Sequence, residues 1–217
     1  MTTSLLTVGA HVATAANDEH PKIDYTVDRF ADIEILRYEV PGFEELSLQQ
    51  KQLLYHLSEA ALMGRDIIFD QNCRYNLAIR RALEAIYREY RGDRGDAQFK
   101  ALETYLKRVW LANGIHHHYG EDKFEPTGFT ADYFAKCIRS LDPKHVPVRK
   151  GQTVDAWLKE ITPVIFDPKV MPKRTVQSGS GDLLLASANN YYEGGVTQQE
   201  AEAFYAAMRT PNDSTAP

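Results

Sequence analysis

"YNLAIRRALEAIYREYRGDRGDAQFKALETYLKRVWLANG", residues 75–114, contains two apolar patterns of helical period on either side of a polar turn. Side chains three or four residues apart lie on one face of a helix. The pattern therefore predicts helices over about 75–90 and 96–111. The second should end at Asn113 and Gly114, which are typical of a left-handed helix terminus. The apolar positions are Leu77, Ile79, Leu83, Ile86, Tyr87, Phe99, Leu102, Tyr105, Leu106, Val109 and Trp110.

A third helix is predicted before this stretch, in "SLQQKQLLYHLSEAALMGRDII", residues 47–68. Ser47 and Gln50 have the spacing of a capping box. Gly64 either ends this helix or kinks it. Its apolar stripe at helical spacing consists of Leu53, Leu54, Leu57, Ala61 and Leu62.

Three further helices are predicted after residue 129. One starts near Thr130, and a second is capped by Thr153 and is interrupted or ended by Pro163. The last begins at Thr197, where Glu200 completes a capping box, and runs to about Met208.

Strand signals are few. Residues 33–40, "IEILRYEV", alternate weakly and predict one short strand or extended arm. Residues 183–195, "LLLASANNYYEGG", are interpreted as an extended segment ending in a glycine turn. The sequence therefore predicts a mainly α fold with a minor β component, in the α+β class.

The composition excludes some functions. The chain has 217 residues with 43% hydrophobic residues, which is enough for a core, and its net charge is −5. A nucleic-acid binder would carry a basic surplus, and no apolar run reaches the length of a transmembrane helix. Cys73 and Cys137 form no CxxC motif and are predicted to be free, buried thiols. A disulfide between them remains an alternative if the protein is exported.

Residues 1–22 are interpreted as a leader. Ala13-Thr14-Ala15 has the small-x-small pattern that precedes a signal cleavage site, although the positive n-region is missing. A remnant signal peptide would place the protein in the periplasm or cell envelope, and a plain leader would leave it in the cytoplasm. Residues 23–209 are expected to form the fold, and residues 210–217 are either a polar tail or a truncation point.

The histidine run in "NGIHHHYGEDKF", residues 113–124, is the first candidate for chemistry. Adjacent residues point in different directions in a helix, and in an extended segment only His116 and His118 share a face. A catalytic zinc takes three protein ligands. We therefore predict no metal site here, and an ion held by both histidines remains an alternative. Its third ligand would be His56, His145, Glu121 or Asp122.

Two other groups of polar residues were considered. Glu59 and Asp66 are seven residues apart and could share a helix face, but a solvated or salt-bridged pair is the simpler interpretation. Asn189, Asn190 and Tyr191 place amide and phenol groups together, and amides can both donate to and accept from a peptide backbone. They are either peptide-binding residues or a hydrogen-bonded strand end.

Known catalytic motifs are missing from the sequence, which contains no HExxH, GxSxG, Walker loop or GxGxxG. We therefore assign no catalytic residue.

Four stretches nevertheless resemble the N-terminal part of the dipeptidyl-peptidase III family of zinc exopeptidases, in its bacterial, Bacteroidetes-like forms. The resemblance runs from about Phe30 to Met208, and "NGIHHHYGEDKF" is its most specific part. The stretches are "RFADIEILRYEVPGFEELSLQQKQLLYHLSEAALMGRDIIFDQN", "YNLAIRRALEAIY", "YLKRVWLANGIHHHYGEDKFEP" and "NNYYEGGVTQQEAEAFY".

The resemblance implies two lobes around a wide cleft. One lobe has a β-barrel core with helices, and the other is mostly helical and carries zinc on an HExxGH-type motif plus a further glutamate. It also implies an activity, the release of dipeptides from oligopeptide N-termini by zinc-activated water. This sequence has neither the zinc motif nor the further glutamate, so no catalytic or metal residue is transferred.

The resemblance leads us to expect the helical N-terminal part of a two-lobed peptidase, inactive alone and contributing a cleft wall. Tyr119 and its neighbour His118 are the expected substrate-binding residues; Asn189, Asn190 and Tyr191 are added for their chemistry. Zinc would belong to the full-length enzyme, and none is expected on this chain. The expected partners are an oligopeptide substrate and the C-terminal part of the peptidase. The alternative is a stand-alone, non-catalytic peptide- or protein-binding domain.

Overall fold

The computed structural model describes residues 23–209, so the predicted leader and the polar tail lie outside the described residues. The chain divides into two compact units, of which the first ends at Pro41 and the second begins at Gly42. The described part of the first unit holds an antiparallel pair of strands, β1 (Thr26–Phe30) and β2 (Ile33–Leu36). The predicted strand over 33–40 is therefore shorter than expected, and its partner β1 was not predicted.

The second unit is helical. Between Gly42 and residue 209 it contains eight α-helices and two short 3₁₀ turns. The helices are α1 (Leu48–Met63), α2 (Arg65–Asn72), α3 (Asn76–Glu89), α4 (Ala97–Ala112), α5 (Ala131–Arg139), α6 (Val154–Phe166), α7 (Leu183–Ala186) and α8 (Gln198–Met208). The prediction of a mainly α fold with a minor β component is confirmed. Within residues 23–209, no helix has the length and apolar character needed to cross a membrane.

The apolar faces of α3, α4, α5 and α6 form the core. Helix α3 packs against α2, α4 and α5, and α5 packs against α6. Aromatic rings fill much of the interior: Tyr90 stacks on Phe99 with 5.5 Å between ring centroids. Cys73 and Cys137 are buried and free, as expected. The stretch over 75–114 thus supplies half of the core helices, as its pattern predicts.

Helix starts were predicted accurately because side-chain caps define them. Ser47 and Thr197 form the expected capping boxes with Gln50 and Glu200. Thr130 and Thr153 accept from the backbone N–H groups of the third helical residues of α5 and α6.

Two expectations about secondary structure were wrong. Helix α6 continues through Pro163 to Phe166, because Val164 and Ile165 are buried in the core and the Asp167 N–H closes the following turn on the Pro163 carbonyl at 3.0 Å. Core packing offsets the hydrogen bond that proline cannot make. The extended segment over 183–195 begins instead as α7, because the Asp182 carboxylate accepts from two N–H groups of its first turn.

Helix α1 differs from the core helices because none of its residues is buried. Gly64 separates it from α2, so the glycine ends one helix and begins the next. Its predicted apolar stripe is present but remains in solvent; Leu53 is 58% exposed and Leu57 56% exposed. Helical spacing alone did not show which stripe faces the core.

Matched leucine truncations test this division between core and surface. Leu106 in α4 is fully buried, whereas Leu57 in α1 is exposed. We expect Leu106→Ala to lower the free energy of unfolding by about 2–5 kcal/mol, because it leaves a cavity. Leu57→Ala should change it by less than about 0.5 kcal/mol. Urea denaturation followed by circular dichroism measures both values, and equal losses would contradict this packing.

Candidate functional site

Four short extended segments lie side by side and bring distant parts of the sequence together. They cover residues 115–117, 122–124, 172–174 and 188–190, and we call them the loop sheet. The hydrogen bonds that join them run from His117 N to Asp122 O (2.8 Å), Phe124 N to Ile115 O (2.8 Å), Lys123 N to Pro172 O (2.9 Å), Arg174 N to Glu121 O (2.8 Å) and Asn189 N to Arg174 O (2.9 Å). The histidine run and the segment with Asn189 and Asn190 therefore belong to one structure.

A buried amide fixes where the loop sheet begins. Asn76, in the first turn of α3, donates from Nδ2 to the Phe69 carbonyl at 3.1 Å and accepts through Oδ1 from the Ile115 N–H at 3.1 Å. Asn113 has φ 53°, as predicted for the end of α4. The next residue, Gly114, has φ +149°, and a Cβ there would lie 2.2 Å from Asn76 Nδ2. Only glycine lets the chain pass this close to the amide.

The turn between residues 117 and 122 carries His118 and Tyr119 and is held by an arginine. Arg174 donates from Nε to Glu121 Oε2 at 2.8 Å and from a terminal nitrogen to Glu121 Oε1 at 2.5 Å. The same guanidinium reaches the His118 carbonyl at 3.3 Å. The hydrogen bonds from Arg174 hold the pKa of the Glu121 carboxyl below its ordinary value. Such a bidentate pair fixes geometry as well as charge.

Lys123 anchors the other side of the loop sheet to α6. Its ammonium group donates to the carbonyls of Val164 at 3.1 Å, Asp167 at 2.5 Å and Val170 at 2.5 Å. Burial lowers the pKa of Lys123, and three carbonyl acceptors satisfy its three donors. The lysine thus closes the C-terminal end of α6 with a positive charge, as favoured by the helix dipole.

The three histidines have three different environments. His116 is buried, and its Nε2 lies 2.9 Å from the Met171 carbonyl, while Nδ1 has no hydrogen-bond partner. His117 Nδ1 accepts from the backbone N–H groups of Tyr119 at 3.1 Å and Gly120 at 2.9 Å. His118 is exposed and stacks on His117 with 4.8 Å between ring centroids. The run therefore shapes the turn.

Metal-ligating side chains do not converge in the described part of the chain. Among residues 23–209, no group of three or more His, Cys, Asp and Glu side chains could hold a metal ion. The zinc that the resemblance implies therefore has no fitting ligand set on these residues, and no chemical step can be derived through it here.

The predicted substrate-binding residues lie at the rim of the loop sheet. Tyr119 is 84% exposed at the tip of the turn, and Tyr191 is 61% exposed beyond the last segment. Asn189 and Asn190 belong to the segment 188–190, and both are half-buried. No observation tests whether these residues bind a ligand, so their role stays a prediction.

Backbone pairing limits how Asn189 and Asn190 could meet a peptide. The N–H groups of Ala188, Asn189 and Asn190 donate to the carbonyls of Lys173, Arg174 and Gln71. The side-chain Nδ2 atoms make long hydrogen bonds, 3.3 Å to Thr175 Oγ1 and 3.4 Å to Asp70 Oδ2. The three backbone donors are therefore occupied, and a ligand would be gripped through the side-chain amides.

A cavity of about 140 Å³ opens beside this segment. Its walls include Asn189, Asn190, Tyr192, Arg74 and Met171. Apolar side chains, two amides and one arginine line it, and this lining is suitable for one side chain of a peptide.

Sequence reasoning missed the residues that hold the site. The partners of Asn76 and Lys123 are backbone groups far away in the sequence, so no local motif identifies either residue. The apolar residues around each of them were the one available sign of burial. Arg174 and Glu121 are 53 positions apart and no local pattern links them. Asp66 is salt-bridged to Arg80 at 2.8 Å, in line with the simpler interpretation of Glu59 and Asp66.

No family model matches the chain, and no curated protein matches it either. The resemblance to the dipeptidyl-peptidase III family therefore stays a prediction, as do the zinc, the substrate and the cellular location.

The buried imidazole of His116 predicts a pH dependence of stability. Burial lowers the pKa of His116, so below pH about 6.5 the unfolded chain binds a proton that the folded chain does not. Stability should be retained above that pH and fall as the pH drops toward the lowered folded-state pKa. We expect His116→Asn to flatten this fall between about pH 7 and 5.

Urea denaturation at several pH values measures the effect. His56→Asn is the control, because His56 lies on the exposed surface of α1. If His116→Asn and the unaltered chain lose stability in parallel, the pH dependence does not come from His116.

Proposed function

We propose that the chain forms one wall of the peptide-binding cleft of a zinc-dependent dipeptidyl-peptidase that releases dipeptides from oligopeptide N-termini. The observation that carries the proposal is that the Tyr119 turn and the Asn189–Asn190 segment belong to one loop sheet, in which Arg174 is hydrogen-bonded to both Glu121 and Asn189. The resemblance indicates a substrate cleft at the first of these, and amide chemistry indicates peptide binding at the second. These two indications do not depend on each other.

The geometry of the Tyr119 turn favours ligand contact over a structural role. The ring is almost fully exposed, while the backbone that carries it is fixed from below by His117 Nδ1 and from the side by Arg174. An exposed aromatic side chain on a fixed backbone provides contact area at small entropic cost.

The proposal assigns peptide binding and metal binding to different parts of the peptidase. In the proposal, the zinc and the water-activating glutamate belong to other residues of the peptidase, because this sequence lacks the HExxGH-type motif. The chain itself is proposed to bind and orient the peptide, with no cofactor of its own.

The exposed apolar surface of α1 supports a protein partner. Leucine, tyrosine and methionine side chains cover this helix without a buried contact among the described residues. Apolar surface of this kind is usually covered by another protein surface. We assign that role to the C-terminal part of the peptidase.

The same surface weighs against the second candidate, a stand-alone peptide- or protein-binding domain. A domain that functions alone would gain stability and solubility from a polar α1. That candidate keeps one point in its favour, namely that α3 to α6 already enclose a complete core.

Peptide binding to the 217-residue chain tests the proposal. We expect unlabelled hexapeptides to bind in titration calorimetry, and Tyr119→Ala to weaken their affinity by about 3- to 10-fold through loss of aromatic contact. Tyr55→Ala is the matched control, because Tyr55 is 62% exposed but lies on α1, outside the loop sheet. Equal affinities for all three proteins would show that Tyr119 is not in the site.

Activity supplies the second arm of this test. The chain should not cleave a dipeptidyl arylamide with or without added zinc. Zinc-dependent turnover by the chain alone would contradict the assignment of the metal site to other residues.

A further inference from the structure

A second cavity, of about 470 Å³, lies next to the one beside the Asn189–Asn190 segment and shares Arg74 with it. It is built by the start of α3, by the middle of α6 and by the connection that precedes α6. The charged residues in its wall are Arg74, Arg81, Arg149, Asp70 and Glu160. Nothing in the proposed function uses this cavity so far.

The three arginines in the wall differ in whether a carboxylate pairs with them. Arg149 is paired with Glu160, and Arg81 reaches Asp66 at 3.3 Å. These two guanidinium groups are therefore engaged.

Arg74 is the exception. Among residues 23–209, no carboxylate or backbone carbonyl accepts a hydrogen bond from its guanidinium, which lies over the Tyr75 ring at 5.0 Å from the centroid. Its donors are therefore available to a ligand at the point where the two cavities meet.

The floor of the cavity is apolar and rigid. Trp157 is 2% exposed and Ile161 is 1% exposed, and both are fixed by the core. Pro147 and Leu77 extend this surface toward the rim. A ligand here would pack its apolar part against Trp157 and Ile161 and place a charged group near the arginines.

The pKa of Glu160 shows the effect of the neighbouring side chains on a carboxylate in this wall. Burial by itself would raise the pKa of Glu160, yet hydrogen bonds from Arg149 and Gln152 hold it below its ordinary value, and the charge of Arg74 acts in the same direction. A carboxylate is thus stabilised in its charged form in this wall.

We infer that this cavity binds a carboxylate of the peptide, with Arg74 as the residue that selects for it. The inference rests on the proposed function, because the peptide is the ligand assigned to the neighbouring cavity. Peptides that place a free carboxylate at Arg74 are therefore the preferred substrate class.

The charge balance favours a carboxylate over a phosphate group. One guanidinium without a hydrogen-bonded protein partner matches a monoanion, whereas a phosphate group would bring close to two negative charges. The planar fork of arginine also fits both oxygens of a carboxylate.

The two cavities are in contact, so one peptide can reach both. Asn190, in the wall of the first cavity, donates to Asp70, which lines the second. A peptide held by the Asn189–Asn190 amides would therefore meet Arg74 next. The carboxylate could come from an acidic side chain or from the C-terminus of the peptide.

Calorimetry with a peptide series tests the inference and separates the two sources. Alanine-based hexapeptides would carry one Glu at each position in turn, with Gln counterparts, each with a free or amidated C-terminus. We expect about tenfold tighter binding for one charged member of the series than for its neutral counterpart, since hydrogen bonds to charged groups are strong. Arg74→Gln should abolish this preference, and Arg74→Lys should keep part of it.

Arg91→Gln is the matched control, because Arg91 is exposed, lies outside the cavity and has no carboxylate partner among residues 23–209. A preference for Glu over Gln assigns the site to a side chain, and a preference for the free terminus assigns it to the C-terminus. Equal affinities across the series would overturn the carboxylate site and leave the proposed function standing. Absence of binding for every peptide would overturn both.

Discussion

The buried amide of Asn76 is the constraint on which the candidate site depends. It joins the last turn of α2 to the third residue after α4 by hydrogen bonds to Phe69 and Ile115. A buried amide left without these partners would be strongly destabilising, so the two backbones cannot move apart without breaking both bonds. Gly114 packs directly on this amide. The loop sheet therefore starts from a fixed point, and the positions of His116 to Tyr119 follow from it.

Charged side chains extend that constraint to the rest of the site. Lys123 attaches the loop sheet to the end of α6, and Arg174 attaches the turn below Tyr119 to the segment that pairs with Asn189. The Arg174–Glu121 ion pair is partly buried, so it fixes the turn more firmly than an exposed ion pair would. The backbone that carries Tyr119 is therefore fixed before a ligand binds.

The fold was largely predictable from local signals. Helical spacing identified α3 and α4, and caps such as Ser47, Thr130 and Thr197 located helix starts within one residue. Errors arose where distant contacts decide the outcome: core packing carries α6 through Pro163, and no local rule shows that the stripe of α1 stays exposed. The site was predicted only as two separate segments, because its bonds link residues such as Glu121 and Arg174 that no sequence pattern connects.

The central claim is that the Tyr119 turn and the Asn189–Asn190 segment bind one peptide together. Hydrogen exchange followed by mass spectrometry, with and without saturating hexapeptide, tests it most directly. The account predicts slower amide exchange on binding in both residues 117–123 and residues 188–192, with no change in α1. Slowing in only one of these segments, or only in α1, would contradict a shared site.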